Sequence, residues 1–164
     1  MNSMAPIAVF AYRRPEHLRR TLASLMACDG FAAAPLFLFA DGAKGATDAD
    51  GVAAARAVAR EMIGDAAQYH LSPTNRGLSN SIIAGVAAVL EHHDRIIVIE
   101  DDMELSRGFL SYMNAALARY ADERNHPDAE AASGLSPRLH FGHLSVHEIV
   151  DALARRERWS PESP

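Results

Sequence analysis

Short apolar runs alternate along this chain with longer stretches in which apolar residues recur at helical spacing. Residues 7–12 (IAVFAY) combine β-branched and aromatic side chains and read as a buried strand. Arg13-Arg14-Pro15 interrupts that run, and proline suits the first position of a helix. Leu18, Leu22, Leu25 and Met26 then fall on one helical face, with Gly30 as the expected stop. The pattern repeats. Residues 36–40 predict a second strand closed by Asp41-Gly42, and Val52, Ala55, Ala59, Met62 and Ile63 predict a second helix ending at Gly64. Residues 68–71 predict a weaker third strand, followed by the turn-rich residues 72–77. Ile82, Ile83, Val86, Val89 and Leu90 then carry a third helix. Residues 96–99 (IIVI) are β-branched throughout and too short for a helix, which makes them the clearest strand. Beyond Glu100-Asp101-Asp102, Ser106 is expected to cap a fourth helix with the stripe Phe109, Leu110, Met113, Leu117 and Tyr120.

Strands that alternate with helices, most of them apolar on both faces, predict an α/β fold. The expected form is a mostly parallel, Rossmann-like sheet with helices on both faces. Ligands of such sheets sit beyond the carboxyl ends of the strands. The pattern fades after Tyr120, which places an α/β domain at residues 1–120 and a divergent tail at residues 121–164. Within the tail, residues 121–136 read as a connector. Ser145 and Glu148 match a capping box for a helix near residues 146–157.

Composition narrows the function more than the fold. A chain of 164 residues is long enough to bury a substantial core. Its net charge of -5 argues against non-specific nucleic-acid binding, which needs a positive surface field. An anionic substrate must therefore be attracted locally, by a metal ion or a few arginines. Cys28 is the one cysteine; it ends an apolar helix face, reads as packed, and fits a reducing compartment. No stretch approaches the roughly 20 apolar residues that cross a bilayer, so the expected location is cytoplasmic, with peripheral association at a membrane left open.

Three polar clusters fall at strand ends, on the edge where such folds bind ligands. Glu100-Asp101-Asp102 follows the fourth strand, and adjacent carboxylates repel one another unless a cation lies between them. Hard ions such as Mg²⁺ and Mn²⁺ take one or two carboxylates and complete their shells with phosphates and water. Asp41 ends the second strand, where it could accept from a base or a ribose, although Asp-Gly is also a common turn pair. Tyr12, Arg13 and Arg14 follow the first strand, and Asn75, Arg76 and Gly77 follow the third; arginine there suits phosphate pairing or base stacking. Arg19 and Arg20 read as a solvated face, as does His92-His93. His140, His143 and His147 are spaced for one helical face, but the capping box leaves the first two in the preceding loop.

Residues 6–18 (PIAVFAYRRPEHL), Phe39-Ala40-Asp41-Gly42, Asn75-Arg76-Gly77-Leu78-Ser79 and Val98-Ile99-Glu100-Asp101-Asp102 occur in that order. Together they resemble the opening half of a GT-A glycosyltransferase, nearest the family 2 enzymes and the related N-acetylglucosaminyltransferases. Those enzymes use a Glu-Asp-Asp form of the D-x-D motif, and the resemblance spans about residues 6 to 120. It implies metal-dependent transfer from a nucleotide-diphospho-sugar, usually a UDP-sugar, to a glycan, lipid or protein acceptor. By the same resemblance Asp102 ligates Mn²⁺ or Mg²⁺, Asp101 faces ribose and sugar, and Glu100 supports the nucleotide side. Asp41 reads the base, Arg13 or Arg14 beside Tyr12 contacts the nucleotide, and Asn75 to Gly77 line its pocket.

The family's second half, with its catalytic base and acceptor site, finds no counterpart after Tyr120. The chain is accordingly expected to be a truncated form. Its rival reading is a non-catalytic module that binds nucleotide or a partner, with apolar area left free for self-association into a homo-oligomer. A receiver-like phosphoacceptor fits poorly, because its acidic pair would follow the first strand, where Tyr12-Arg13-Arg14 stands.

Overall fold

The computed structural model describes residues 4–123, with side chains through Arg119. The described residues through Leu117 belong to one compact unit, whose architecture follows. Its elements are β1 (Ile7–Ala11), α1 (Pro15–Met26), β2 (Leu36–Ala40), α2 (Ala46–Ile63), β3 (Ala67–Leu71), α3 (Leu78–Leu90), β4 (Ile97–Glu100) and α4 (Phe109–Glu123). The four strands pair in parallel in the order β3-β2-β1-β4. This is an α/β fold with a Rossmann-like parallel sheet flanked by helices.

Register divides the sheet into two unlike faces. Ile7, Val9, Leu36, Leu38, Ile97 and Ile99 share one face and are buried against Leu18, Leu22 and Leu25 of α1, Ala55 and Ala59 of α2, and Leu110 of α4. Burying each such aliphatic side chain stabilises the fold by about 1.5–3 kcal/mol relative to leaving it exposed. The opposite face carries Phe10, Phe39 and His70, whose rings stack across β1, β2 and β3 with centroids 5.0 and 4.5 Å apart. Helix α3 lies on these rings. It approaches so closely that a Cβ at Gly85 would stand 2.7 Å from the Phe10 ring.

The strand order fixes where a ligand can sit. Winding runs outward from β1 through β2 to β3, then returns to place β4 on the other side of β1. Connections on the two sides leave β1 and β4 in opposite directions, which opens a crevice at their carboxyl ends. No helix among the described residues is long and apolar enough to cross a membrane.

Several expectations shift at the level of single residues. Met26, Ile83 and Leu90, expected in core stripes, are exposed at 42%, 67% and 43%. Among the described residues α3 covers the second sheet face; it buries Gly85 and Val89 and leaves Ile83 and Leu90 exposed. Val98 of β4 is likewise exposed on that face. Helix α4 begins at Phe109 rather than after Ser106, whose carbonyl accepts both the Phe109 N–H and the Cys28 thiol. Helix α1 ends at Met26, and Gly30 instead precedes a short 3₁₀ turn, Phe31–Ala33, in a left-handed conformation. His93 is not a free solvated ring; it packs edge-on against Phe37 at 5.9 Å. Cys28 is buried as expected, and burial pushes its thiol pKa up, away from the reactive thiolate. The capping box at Ser145 and Glu148, the helix near residues 146–157, and His140, His143 and His147 lie outside the described residues.

Candidate functional site

The end of β1 is where the chain concentrates its charge. Tyr12 follows the last strand residue, and its N–H donates to Asp101 Oδ2 at 3.3 Å, joining the ends of β1 and β4 across the crevice. The Tyr12 hydroxyl donates to Asp48 Oδ2 at 2.7 Å and accepts from the Lys44 N–H at 3.1 Å. Arg13 pairs with the other Asp48 oxygen. Asp48 sits in the first turn of α2, where an acid also meets the positive end of the helix. The Tyr12 bond comes first among the interactions that hold the Asp48 carboxyl below its ordinary pKa; the same bond pushes the Tyr12 phenol up.

Arg14 serves the acids of β4. Its Nη2 donates to Asp101 Oδ1 and lies 3.0 Å from Asp102 Oδ2. Asp101 is buried, whereas the Asp102 side chain is 46% exposed. The Glu100 carboxylate faces the crevice with no hydrogen bond or ion pair among the described residues; its N–H approaches Met103 Sδ at 3.5 Å.

The loops after β2 and β3 are interlocked. Asp41 is buried, and its carboxylate accepts the N–H groups of Gly42, Arg76 and Gly77 at 2.9–3.0 Å. Asn75 Nδ2 donates to the Gly42 carbonyl at 2.9 Å, and the Gly42 N–H donates to the Thr74 carbonyl. Only glycine fits at 42, because a Cβ there would stand 2.5–2.7 Å from Thr74 backbone atoms. Beneath both loops Arg56 Nη2 donates to the carbonyls of Ala40, Asp41 and Ser72 at 2.6–3.3 Å.

These parts enclose a cleft of about 650 Å³. Of the residues expected at a site, Tyr12, Arg13, Arg14, Asp41, Asn75, Gly77, Glu100 and Asp101 line it. Arg76 instead borders a smaller cavity of about 260 Å³ beside His70, and Asp41 touches both. Asp102 stands outside the cleft lining and is linked to it through Arg14. Ser81 lies on the wall shared by the two cavities, and its buried hydroxyl has no partner among the described residues.

Sequence reading missed Asp48, Lys44, Arg56 and Ser81. An acid in the first turn of a predicted helix was the available signal for Asp48. Arg56, flanking the buried alanines of α2, was the corresponding signal for an arginine turned toward the sheet.

The described residues hold no group of three or more His, Cys, Asp or Glu side chains that could cage a metal. The donors at the end of β4 are all oxygens. Asp102 keeps one oxygen without a partner among the described residues, and a guanidinium already bridges it to Asp101. That set fits a hard divalent ion held by one protein carboxylate, with phosphate and water completing the shell. It does not fit an all-protein cage.

Fold and cleft together define an α/β protein of the open parallel-sheet class with a charged crevice at its topological switch point. No family model matches the chain, and no curated protein matches it.

Proposed function

We propose that the cleft binds a nucleoside diphosphate-sugar and that the protein is a metal-dependent glycosyltransferase, with a UDP-sugar as the expected donor. One observation carries the reading: basic residues at the end of β1 and acids at the end of β4 meet at the switch point, around a cleft of nucleotide size. Arg13, Arg14 and Lys44 line the cleft and supply cationic side chains to it, with Arg13 and Arg14 paired to Asp48 and Asp101. Gly77, held by Asp41 at the amino end of α3, brings backbone and helix dipole to the same cleft. Asp41 spends its oxygens on backbone amides of Gly42, Arg76 and Gly77, so it shapes the base end of the pocket through the loop after β3.

Asp102 would hold Mn²⁺ or Mg²⁺ through its free oxygen, with Asp101 and Glu100 facing the sugar and nucleotide. Bound there, the ion supplies Lewis-acid neutralisation of charge on a departing diphosphate. Glu100 lines the cleft without a partner among the described residues, and would be the carboxylate that contacts a ligand hydroxyl.

Calorimetry with UDP-N-acetylglucosamine, with and without Mn²⁺, tests the reading. We expect binding that depends on the metal and is lost in Asp102→Ala. Equal affinity with and without metal, or in the variant, would contradict it. Release of UDP in the presence of acceptors separates an enzyme from a non-catalytic nucleotide-binding module, for which binding would persist without turnover.

A further inference from the structure

We infer that the smaller cavity beside His70 is a subsite for a flat, carbonyl-bearing ring, and that the Ser81 hydroxyl is the group that reads it. The ring's identity rests on the nucleotide-sugar reading and deepens it: the ring is the base of the donor, a diketo pyrimidine rather than an amino-bearing base.

The cavity holds about 260 Å³, room for a single ring and not for a whole nucleotide. It joins the larger cleft at Phe39, Asp41 and Ser81, so a ring held there leaves the cleft to the rest of the donor. Phe39 and Leu71 form its apolar wall on the sheet side, and Ala84, Gly85 and Ala88 of α3 are small enough to leave it open.

The polar lining is unevenly committed. Both Asp41 oxygens accept backbone N–H groups, and the carbonyls of Ala40, Asp41 and Ser72 accept from Arg56. The Ser72 hydroxyl donates to the Thr74 carbonyl. The Arg76 guanidinium and the Ser81 hydroxyl have no hydrogen-bond partner among the described residues. A guanidinium only donates, and a hydroxyl can. A ring carbonyl satisfies such groups, whereas an exocyclic amino group in its place would meet donors and find the Asp41 carboxylate occupied. Ser81 is buried at its Oγ within α3, where alanine would suit the helix better. An unpaired buried hydroxyl costs stability, and a ligand carbonyl that pairs with it recovers that cost on binding.

The test titrates the full chain with uridine and with cytidine, without metal, and follows backbone amides by NMR. Uridine should bind about tenfold more tightly than cytidine and move the amides of Ser81 and Gly85. Ser81→Ala should melt no lower than the natural chain, lose about three- to tenfold in uridine affinity, and hold the two nucleosides within about threefold of each other. Ser79→Ala, at an exposed position of the same helix, should match the natural chain. Ala84 is exposed and borders the cavity, so Ala84→Leu should fill the opening and abolish uridine binding.

No uridine binding, equal affinity for cytidine, a preference that survives Ser81→Ala, or uridine binding that survives Ala84→Leu would each overturn the inference. If Ser81→Ala does not fold, Ala84→Leu decides. A chain that takes uridine through Ser81 but shows no metal-dependent binding of UDP-N-acetylglucosamine has the subsite without the proposed activity. One that binds metal and donor but treats uridine and cytidine alike lacks the subsite alone.

Discussion

Tyr12 touches three parts of the cleft with one residue. Its N–H reaches Asp101 on the β4 side, while its hydroxyl donates to Asp48 in α2 and accepts from Lys44 in the preceding loop. The hydroxyl bond ties stability to pH at both ends of the scale. Asp48 titrates below its ordinary value in the folded state, chiefly because Tyr12 donates to it. Its contribution is therefore complete above about pH 4 and lost as pH falls through the lower folded value. Tyr12 titrates above its ordinary value, so its contribution is complete below about pH 10 and lost as pH rises through the higher folded value. Tyr12→Phe should be less stable than the natural chain by an amount that is constant from about pH 5 to 9 and shrinks on either side. Urea denaturation across that range measures it, and a deficit independent of pH would refute the linkage.

At the scale of elements, the loops after β2 and β3 behave as one piece because Arg56 joins their roots. Three carbonyls converge on a single nitrogen of its guanidinium. An ammonium carries three donors at one point, so lysine can serve the same acceptors if its chain reaches them. Arg56→Met should destabilise the fold by about 2–3 kcal/mol, through loss of a charged donor from three carbonyls. Arg56→Lys should recover most of that, again by urea denaturation; equal losses in both would mean that shape rather than charge matters there.

Arg56 and Asp48 carry only weak local signals in the sequence, because the partners that give them their roles lie in other elements. The strands were legible for the opposite reason. Residues 36–40 are apolar throughout and end in Asp-Gly, a signal contained within seven residues. The cleft was legible in outline, since Tyr12, Asp41 and Glu100 each end a run that could be read as a strand. What could not be read was how their charges pair: Asp41 turns to backbone amides of the loop after β3, and Arg14 rather than Arg13 joins the acids of β4.

For the whole molecule, the two sheet faces have different weights in stability. The sequence marks Leu38 in an apolar strand and Ile83 in a helical stripe alike as core residues, but Leu38 is fully buried whereas Ile83 is 67% exposed on α3. Leu38→Ala should cost about 2–5 kcal/mol, and Ile83→Ala within about 0.5 kcal/mol of nothing. Thermal and urea melts of the two variants check the contrast; comparable losses would mean that the outer surface of α3 is covered after all. Helical spacing cannot resolve this, because α3 is apolar around most of its circumference and only the number of layers packed on it decides which side is inside.

The bond from the Tyr12 N–H to Asp101 spans 89 positions of the chain. Its consequence is temporal as well as spatial. Nothing resembling the cleft can exist in a nascent polypeptide until the fourth strand has docked beside the first, so recognition waits for the longest-range contact in the sheet. A molecule that bridges both arms therefore binds the finished architecture and not its precursors, and its occupancy would resist global unfolding rather than any local opening.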